Sequence, residues 1–216
     1  MKAVLKNPGS AITHFVGMVA AAAAALPLLV KASHHAGREP LISLSIFIGS
    51  MILLYAASTT YHSLDISEKV NRILRKVDHM AIFLLIAGTY TPVCLCVLPQ
   101  PLGLRLCLLV WAIALAGILI KAFWITCPKW FSSVIYIGMG WVCVLAFREL
   151  FAVLSPAAFG WLLAGGLIYT VGGVIYALKL PLFNARHPGF GSHEIFHLFV
   201  MGGSLCHYIM MYQYIA

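Results

Sequence analysis

Long, uninterrupted runs of apolar residues recur along the chain, separated by short segments that carry proline, glycine or charge. A helix rises about 1.5 Å per residue and the hydrocarbon core of a bilayer is roughly 30 Å thick, so about 20 apolar residues make one crossing. Seven runs approach or exceed this length, at residues 12–30, 41–61, 80–98, 104–123, 131–147, 157–178 and 195–215. The pattern predicts seven transmembrane helices, of which the fifth is the shortest.

The same pattern argues against other architectures. Apolar and polar residues do not alternate with a period of two, as they do in a membrane β-barrel, and an open sheet cannot expose unpaired backbone groups to lipid. No segment between the runs is long enough for a soluble domain. We therefore predict one all-α transmembrane domain over residues 1–216. Its first helix should be kept as an anchor rather than cleaved as a signal peptide, because six more helices follow.

Composition supports a membrane protein and narrows the choice of partners. The chain is 62% hydrophobic and only 9% charged, with a mean hydropathy of +0.97, whereas about 25% of the residues of a soluble domain are charged. The net charge of +8 is explained by basic cytoplasmic loops that face anionic lipid head groups. We expect membrane lipids as partners and no nucleic acid, which would require a solvated basic module.

The distribution of lysine and arginine predicts the orientation of the helices. With a cytoplasmic N-terminus, most of the fourteen basic residues lie on the inner side: Lys2, Lys6, Lys69, Arg72, Arg75, Lys76, Lys121, Lys129, Lys179 and Arg186. The outer side then holds only Lys31, Arg38, Arg105 and Arg148. Because basic loops remain in the cytoplasm, we predict an N-terminus inside the cell and, after seven spans, a C-terminus outside.

The stretch GSHEIFHLF, residues 191–199, contains the HExxH pattern of many zinc proteases in His193, Glu194 and His197. Two histidines four residues apart lie on one face of a helix, where both reach a single metal ion. A catalytic zinc also needs a third protein ligand and an open position. The spacing therefore predicts a metal site, and the rest of the chain decides whether it belongs to a protease.

The predicted topology limits where the third ligand can come from. His34 and His35 fall in an outer loop, and His207 is about 15 Å further along the seventh helix than His197. The remaining histidines, at the inner face together with Asp78, are His14, His62, His79 and His187.

His62 is the best candidate for the third ligand because the second helix ends there, at the depth where the seventh begins. Ser58 lies one turn deeper on the same face, and Asp78 is expected to begin the third helix at this level. We rank His79 lower because it points about 100° away from Asp78 on its helix, and His187 lower because it lies in a loop. His14 is the runner-up.

Each of these residues has an ordinary explanation when taken singly. A histidine near a helix end is usually interfacial, and an aspartate after a basic run is often a helix N-cap. Together, however, an i,i+4 histidine pair, an i,i+4 Ser/His pair and a carboxylate converge on one membrane layer, where ionisable groups are costly and usually functional. The combination favours a metal site.

Three motifs carry a resemblance to a known family: SxxxH at Ser58 to His62, DHMAIFLLIAGTYTP at residues 78–92, and SHEIFHLFVMGGSLCHY at residues 192–208. They resemble the bacterial hemolysin III family, related to the progestin and adipoQ receptors, and the resemblance covers nearly the whole chain. It implies seven spans with the N-terminus inside, in the bacterial inner membrane. It also implies a zinc ion near the cytoplasmic side, with His62, His193 and His197 at the ligand positions.

The resemblance also bears on the three polar residues nearest these ligands. Ser58 and Asp78 match positions close to the water beside the metal. The position of Glu194 is often an amide or another residue in the relatives, so Glu194 need not act as the general base of a zinc protease. It lies about 100° around the helix from His193, and we keep it as a secondary candidate. HExxH is then a coincidence within a different zinc site.

A zinc ion with three neutral imidazoles and an open position activates water for hydrolysis. Asp78 would orient the water and transfer its proton, and Ser58 would either hold a group next to the metal ligands or hydrogen-bond the substrate carbonyl. Helices that face lipid suggest a lipid amide or ester as substrate, and the wider superfamily resemblance implies ceramidase-like amide cleavage. Copper and nickel also suit three imidazoles, though less often.

Three alternatives remain, and the sequence leaves the oligomeric state open. The zinc would be structural if the protein is a non-enzymatic sensor or regulator of membrane fluidity. A hemolysin-type pore would need a polar stripe along a whole helix, whereas polar groups here are mostly near the inner ends, so it ranks lowest. An intramembrane protease would need a carboxylate as a further ligand, which would make Asp78 a ligand rather than a partner of the water.

Overall fold

The structure, a computed structural model, describes residues 5–178, 187 and 189–216. Part of the linker before the last span, and Lys2, Lys179 and Arg186 from the charge count, lie outside the described residues. The helices are α1 (Pro8–Ser33), α2 (Glu39–Ser63), α3 (Glu68–Pro92), α4 (Leu102–Phe123), α5 (Lys129–Gly140), α6 (Phe147–Val153), α7 (Pro156–Leu178) and α8 (Ser192–Tyr214). A π-helical turn, Val93–Val97, extends α3, and a 3-10 turn, Trp141–Ala146, joins α5 to α6.

Across these residues the chain forms seven spans and no strand, since α5, the 3-10 turn and α6 together make one span, Lys129–Val153. Many large apolar side chains are exposed on the outer surface of the bundle, among them Leu26, Leu108 and Leu145. A soluble protein rarely exposes so much contiguous apolar surface, whereas lipid covers it at no cost. The predicted all-α, seven-span class is confirmed.

Two predicted boundaries are wrong. The third span begins at Glu68 rather than near residue 80, with the Ser67 hydroxyl accepting the N–H of Val70 as its N-cap. The basic run that follows is helical because lysine and arginine are good helix formers, although it is too polar to resemble a membrane segment. Asp78 therefore lies well inside α3, more than two turns from its start, and is not an N-cap.

The fifth span was predicted as the shortest, at residues 131–147, but it extends to Val153. The shortest of the seven is Leu102–Phe123. The difference arises because Arg148 and Glu149 ended the apolar run, although both lie in the helical segment α6.

The packing of the helices places the first span, α1, against the last span, α8. α1 packs against α2 and α8, α2 packs against α3, and α7 packs against α8. Glycines permit close contact in two of these pairs: a Cβ atom at Gly88 would overlap Ser50 of α2, and one at Gly203 would overlap the ring of Tyr169. This approach of small residues is common between membrane helices. The first turns of α1 and α8 therefore meet the end of α2 at one end of the bundle, which we call the histidine end.

Candidate metal centre

Three histidines converge at the histidine end. His62 lies in the last turn of α2, and His193 and His197 lie one turn apart at the start of α8. One ring nitrogen from each falls within 4.8 Å of the others. His62 and His197 are only 3% and 2% exposed, and His193 is half-buried. The structure thus brings together the three residues predicted as ligands.

The spacing of the nitrogens suits a metal ion. Nε2 of His62 and Nε2 of His193 are 3.3 Å apart. Two ligands that lie about 2.0–2.1 Å from a tetrahedral ion, as imidazoles do on zinc, are separated by about 3.3 Å. The three donors are all imidazoles, a set suited to borderline ions such as zinc, copper and nickel. This cluster can therefore hold one metal ion without a large rearrangement.

Residues at the start of α1 contact the Nδ1 atoms of His62 and His197. Thr13 Oγ1 lies 3.2 Å from His197 Nδ1 and 2.9 Å from the carbonyl oxygen of Gly9, to which it donates. The hydroxyl oxygen can then accept a hydrogen bond from the Nδ1–H group of His197, which leaves Nε2 of His197 as a metal donor. The side-chain amide of Asn7 lies 3.2 Å from His62 Nδ1, and the Asn7 N–H donates to the His62 carbonyl at 2.9 Å.

His14, the runner-up for the third ligand, lies beside the cluster but is not part of it. It is 3% exposed and stacks on His197, with ring centroids 3.6 Å apart and 9° between the ring planes. Within the described part of the chain, neither of its ring nitrogens has a hydrogen-bond partner.

Ser58 and Asp78 line the same cavity as His14, His193 and His197. Ser58 is 1% exposed, and its hydroxyl has no partner among residues 5–178, 187 and 189–216. Asp78 is 7% exposed. These two polar groups therefore face the interior, next to two of the predicted ligands.

His79 belongs to the same group, although it was ranked low as a ligand. Its ring turns back along α3, so that Nδ1 lies 3.4 Å from Asp78 Oδ2. The Tyr136 hydroxyl donates to the His79 carbonyl at 3.0 Å, which ties this part of α3 to α5. His79 thus contacts the carboxylate rather than the histidine cluster.

Glu194 has a different position from the general base of a zinc protease. Its Oε2 accepts the backbone N–H of Gly191 at 2.8 Å, and its Oε1 accepts the Ser10 hydroxyl. Both carboxylate oxygens are therefore engaged in capping α8 and in holding α1 against it. A carboxylate at the start of a helix also interacts favourably with the helix dipole.

The cavity extends from the histidines deep into the bundle. It has a volume of about 170 Å³, and its far end is lined by Val93, Leu106, Phe159 and His207. From His193 to His207 the cavity follows α8 for about 21 Å, at about 1.5 Å per residue. Most of its walls are apolar side chains of α3, α5, α7 and α8. An elongated apolar ligand can therefore lie along the bundle with one end at the histidines.

His34, His35 and His187 lie outside the histidine cluster and are exposed.

Two residues at the start of α1 contact the cluster although the sequence did not indicate them as site residues. Asn7 and Thr13 were not predicted as site residues, although the stretch NPGSAITH gives an apolar helix one polar face. That face was the available indication that α1 contacts the site.

Comparisons with known proteins identify the family of this chain. The model of the family described as Haemolysin-III related matches residues 3–208. The Hemolysin-3 homolog of Bacillus subtilis (strain 168) is 38% identical over 204 residues, which cover 94% of this chain and 92% of that protein. Hemolysin-3 of Bacillus cereus is 37% identical over 212 residues, which cover 98% and 93%.

More distant relatives include the Adiponectin receptor protein of Drosophila melanogaster, 26% identical over 216 residues, which cover 93% of this chain but only 48% of that longer protein. The family model, the coverage of the bacterial relatives and the seven apolar helices all point to the same group. This chain therefore belongs to the haemolysin III-related family and is a multi-pass membrane protein.

Proposed function

We propose that this protein is a zinc-dependent hydrolase of a membrane lipid amide or ester, located in the inner membrane of a bacterial cell. The supporting observation is that three imidazoles converge in one cluster, and that two of them, His193 and His197, line an apolar cavity that also holds a carboxylate and a serine hydroxyl. In this proposal His62, His193 and His197 hold the zinc ion. When bound, zinc polarises a substrate carbonyl and activates water.

Asp78 and Ser58 would perform the remaining steps. The Asp78 carboxylate accepts a proton from the attacking water and delivers it to the leaving nitrogen or oxygen. The Ser58 hydroxyl, which has no partner within the described chain, donates to the substrate carbonyl oxygen, where negative charge develops. His79 Nδ1 lies 3.4 Å from Asp78 Oδ2, beside the carboxylate. The three histidines stay neutral as ligands and take no part in proton transfer.

The cavity supports a lipid as the substrate class. Its apolar walls, among them Val93, Leu106 and Phe159, suit an acyl chain. Its length of about 21 Å is roughly two thirds of the 30 Å thickness of the hydrocarbon core of a bilayer. Asp78, Ser58 and the two lining ligand histidines lie at one end of the cavity, and His207 is at the other. An acyl chain in the cavity would therefore place its amide or ester carbonyl near the histidines and exclude water from the rest of the site.

The proposed hydrolase activity is tested by mass spectrometry of lipids incubated with the purified protein. Zinc-loaded protein is incubated with ceramides and with mixed membrane phospholipids, and released fatty acid is measured by mass spectrometry. Asp78→Asn should lower the rate by at least about a hundredfold, as expected for loss of an acid–base group, while zinc content is unchanged. Glu68→Gln, at an exposed position of the same helix, is the matched control. Absence of product from every lipid class with zinc retained would contradict the proposal.

A structural zinc in a non-enzymatic membrane sensor or regulator is the second candidate, and one observation favours it. α2 packs on α1 and α3, whereas α8 packs on α7 and α1. Away from the histidines, the Tyr55 hydroxyl of α2 donates to Ser204 of α8 at 2.7 Å. A metal ion held by His62 and His197 would add a second link between these helices. Zinc removal would then lower the melting temperature strongly, and no lipid product would appear at any zinc content.

A further inference from the structure

A second concave site lies at the histidine end. It is a cavity of about 230 Å³, which we call the basic pocket, lined by Lys6, Tyr61, Asn71, Arg72, Arg75, Ile125 and Thr126. Four parts of the chain form it: the segment before α1, the end of α2, the first turns of α3, and the connection between α4 and α5. The pocket is therefore a product of the fold rather than of one basic segment.

The charge of the basic pocket is unbalanced. Three cationic side chains line it, and no carboxylate does. Among the described residues, no carboxylate lies within ion-pair distance of Lys6, Arg72 or Arg75. The nearby Asp65 carboxylate accepts instead from the Asn71 amide at 2.6 Å. Like charges gathered around one cavity repel each other, and a bound anion removes that cost.

One of the cations is held by an aromatic ring, and the other two share a helix face. Lys6 Nζ lies 4.4 Å from the centre of the Tyr61 ring, a cation–π contact. Arg72 and Arg75 are three residues apart on α3 and therefore project from the same face. Arginine presents a planar fork that matches phosphate oxygens, and lysine adds a point charge. Thr126 and Asn71 line the same space with further polar groups.

The basic pocket adjoins the metal centre through two pairs of consecutive residues. Lys6 and Tyr61 line the basic pocket, whereas Asn7 and His62 contact each other at the histidine cluster. The rings of Tyr61 and His62 are 4.7 Å apart. A ligand in the pocket would thus lie next to the residues that position one metal ligand, at the end of the spans where a bilayer has its head groups.

We propose that the basic pocket binds a phosphate group, supplied either by the head group of an anionic phospholipid or by free phosphate. The Arg72 and Arg75 guanidinium groups pair with the phosphate oxygens, and Lys6 completes the charge balance. This site is independent of the proposed hydrolysis, because it requires neither zinc nor turnover. Basic pockets between membrane helices commonly bind such head groups.

Lipid retention measured on the full-length protein tests the proposal. Delipidated protein is titrated with phosphatidylglycerol or with galactosyl diacylglycerol, which is neutral and lacks phosphate, and bound lipid is counted by native mass spectrometry. A parallel titration with sodium phosphate, against sodium chloride at equal ionic strength, is followed by calorimetry. The test variant is Arg72→Gln/Arg75→Gln. The matched control is Arg38→Gln/Arg105→Gln, which removes the same charge from two exposed positions outside the basic pocket.

We expect the unsubstituted protein to retain one phosphatidylglycerol in preference to the galactolipid, and the test variant to bind it at least about tenfold more weakly. The control should stay within about twofold of the unsubstituted protein. Retention of the lipid, with displacement only by excess phosphate, assigns the site to a head group. Phosphate binding without lipid preference assigns it to the free anion. If neither ligand binds, or if both double variants bind equally, the proposal is overturned.

Discussion

His14 of α1 stacks face to face on His197 of α8, with the ring centroids 3.6 Å apart and the ring planes 9° from parallel. This contact places a side chain of the first helix directly against a proposed metal ligand from the last. Together with the Thr13 contact to His197 Nδ1, it means that α1 fixes both the plane of the ring and its hydrogen bond. The first span therefore contributes side chains to the histidine cluster as well as apolar length for crossing the membrane.

Replacement of His14 separates its stacking role from a role as a ligand. His14→Ala removes the surface on which His197 rests and should weaken zinc binding by about tenfold, the effect typical of residues that orient a metal ligand. His14→Phe keeps a flat ring and should stay within about threefold. Zinc affinity is measured by competition with a chromophoric chelator. If the phenylalanine variant lost zinc as fully as the alanine variant, His14 would be a fourth ligand.

The three proposed ligands should be necessary for metal binding. Purified protein should contain about one zinc per chain, and His62→Ala, His193→Ala or His197→Ala should each remove most of it, because each leaves only two imidazoles. Metal content is measured by mass spectrometry after gel filtration. His34→Ala, at an exposed position, is the control. Unchanged zinc content in the three ligand variants would defeat the assignment.

The contact between Asn7 and His62 makes a prediction about proton position. A metal ion on His62 Nε2 requires the proton on Nδ1, so the Asn7 amide must present its oxygen to that nitrogen. Rotation of the amide by 180° exchanges its oxygen and nitrogen. Asn7→Asp provides an acceptor in either orientation and should bind zinc at least as tightly as the unsubstituted protein. Asn7→Leu should bind about tenfold more weakly. Equal affinities in the two variants would show that Asn7 does not orient His62.

Glu194 distinguishes this site from a zinc protease. If its carboxylate caps α8, as its contacts with Gly191 and Ser10 indicate, Glu194→Ala should destabilise the protein by about 1 kcal/mol and leave zinc content and lipid hydrolysis intact. Glu194→Gln keeps an acceptor and should be nearly neutral. Stability is measured by thermal unfolding in detergent. Loss of turnover in the glutamine variant, with full stability and zinc, would instead assign the general base to Glu194.

The sequence was sufficient for the class of fold and for the convergence of His62, His193 and His197, because hydropathy sets the depth of each helix end and helical spacing aligns the histidine pair. It was insufficient where tertiary contacts decide. The start of α3 was missed because the basic run before Asp78 is helical without being apolar. His79 was ranked by the direction of its Cα–Cβ bond, but a long side chain can turn back to the residue before it. Asn7 and Thr13 were missed because only the packing of α1 on α8 reveals their partners.

The orientation of the bundle is a prediction from charge alone and can be tested directly. The basic residues at the histidine end, including Lys6, Arg72 and Arg75, predict that this end faces the cytoplasm and that Ala216 lies outside. Alkaline phosphatase fused after Ala216 should therefore be active in intact cells, whereas green fluorescent protein fused there should be dark. The same two reporters fused before Met1 should give the reverse result. If both sets of fusions report the opposite sides, the histidine cluster faces outward and the proposed head-group ligand must come from the outer leaflet.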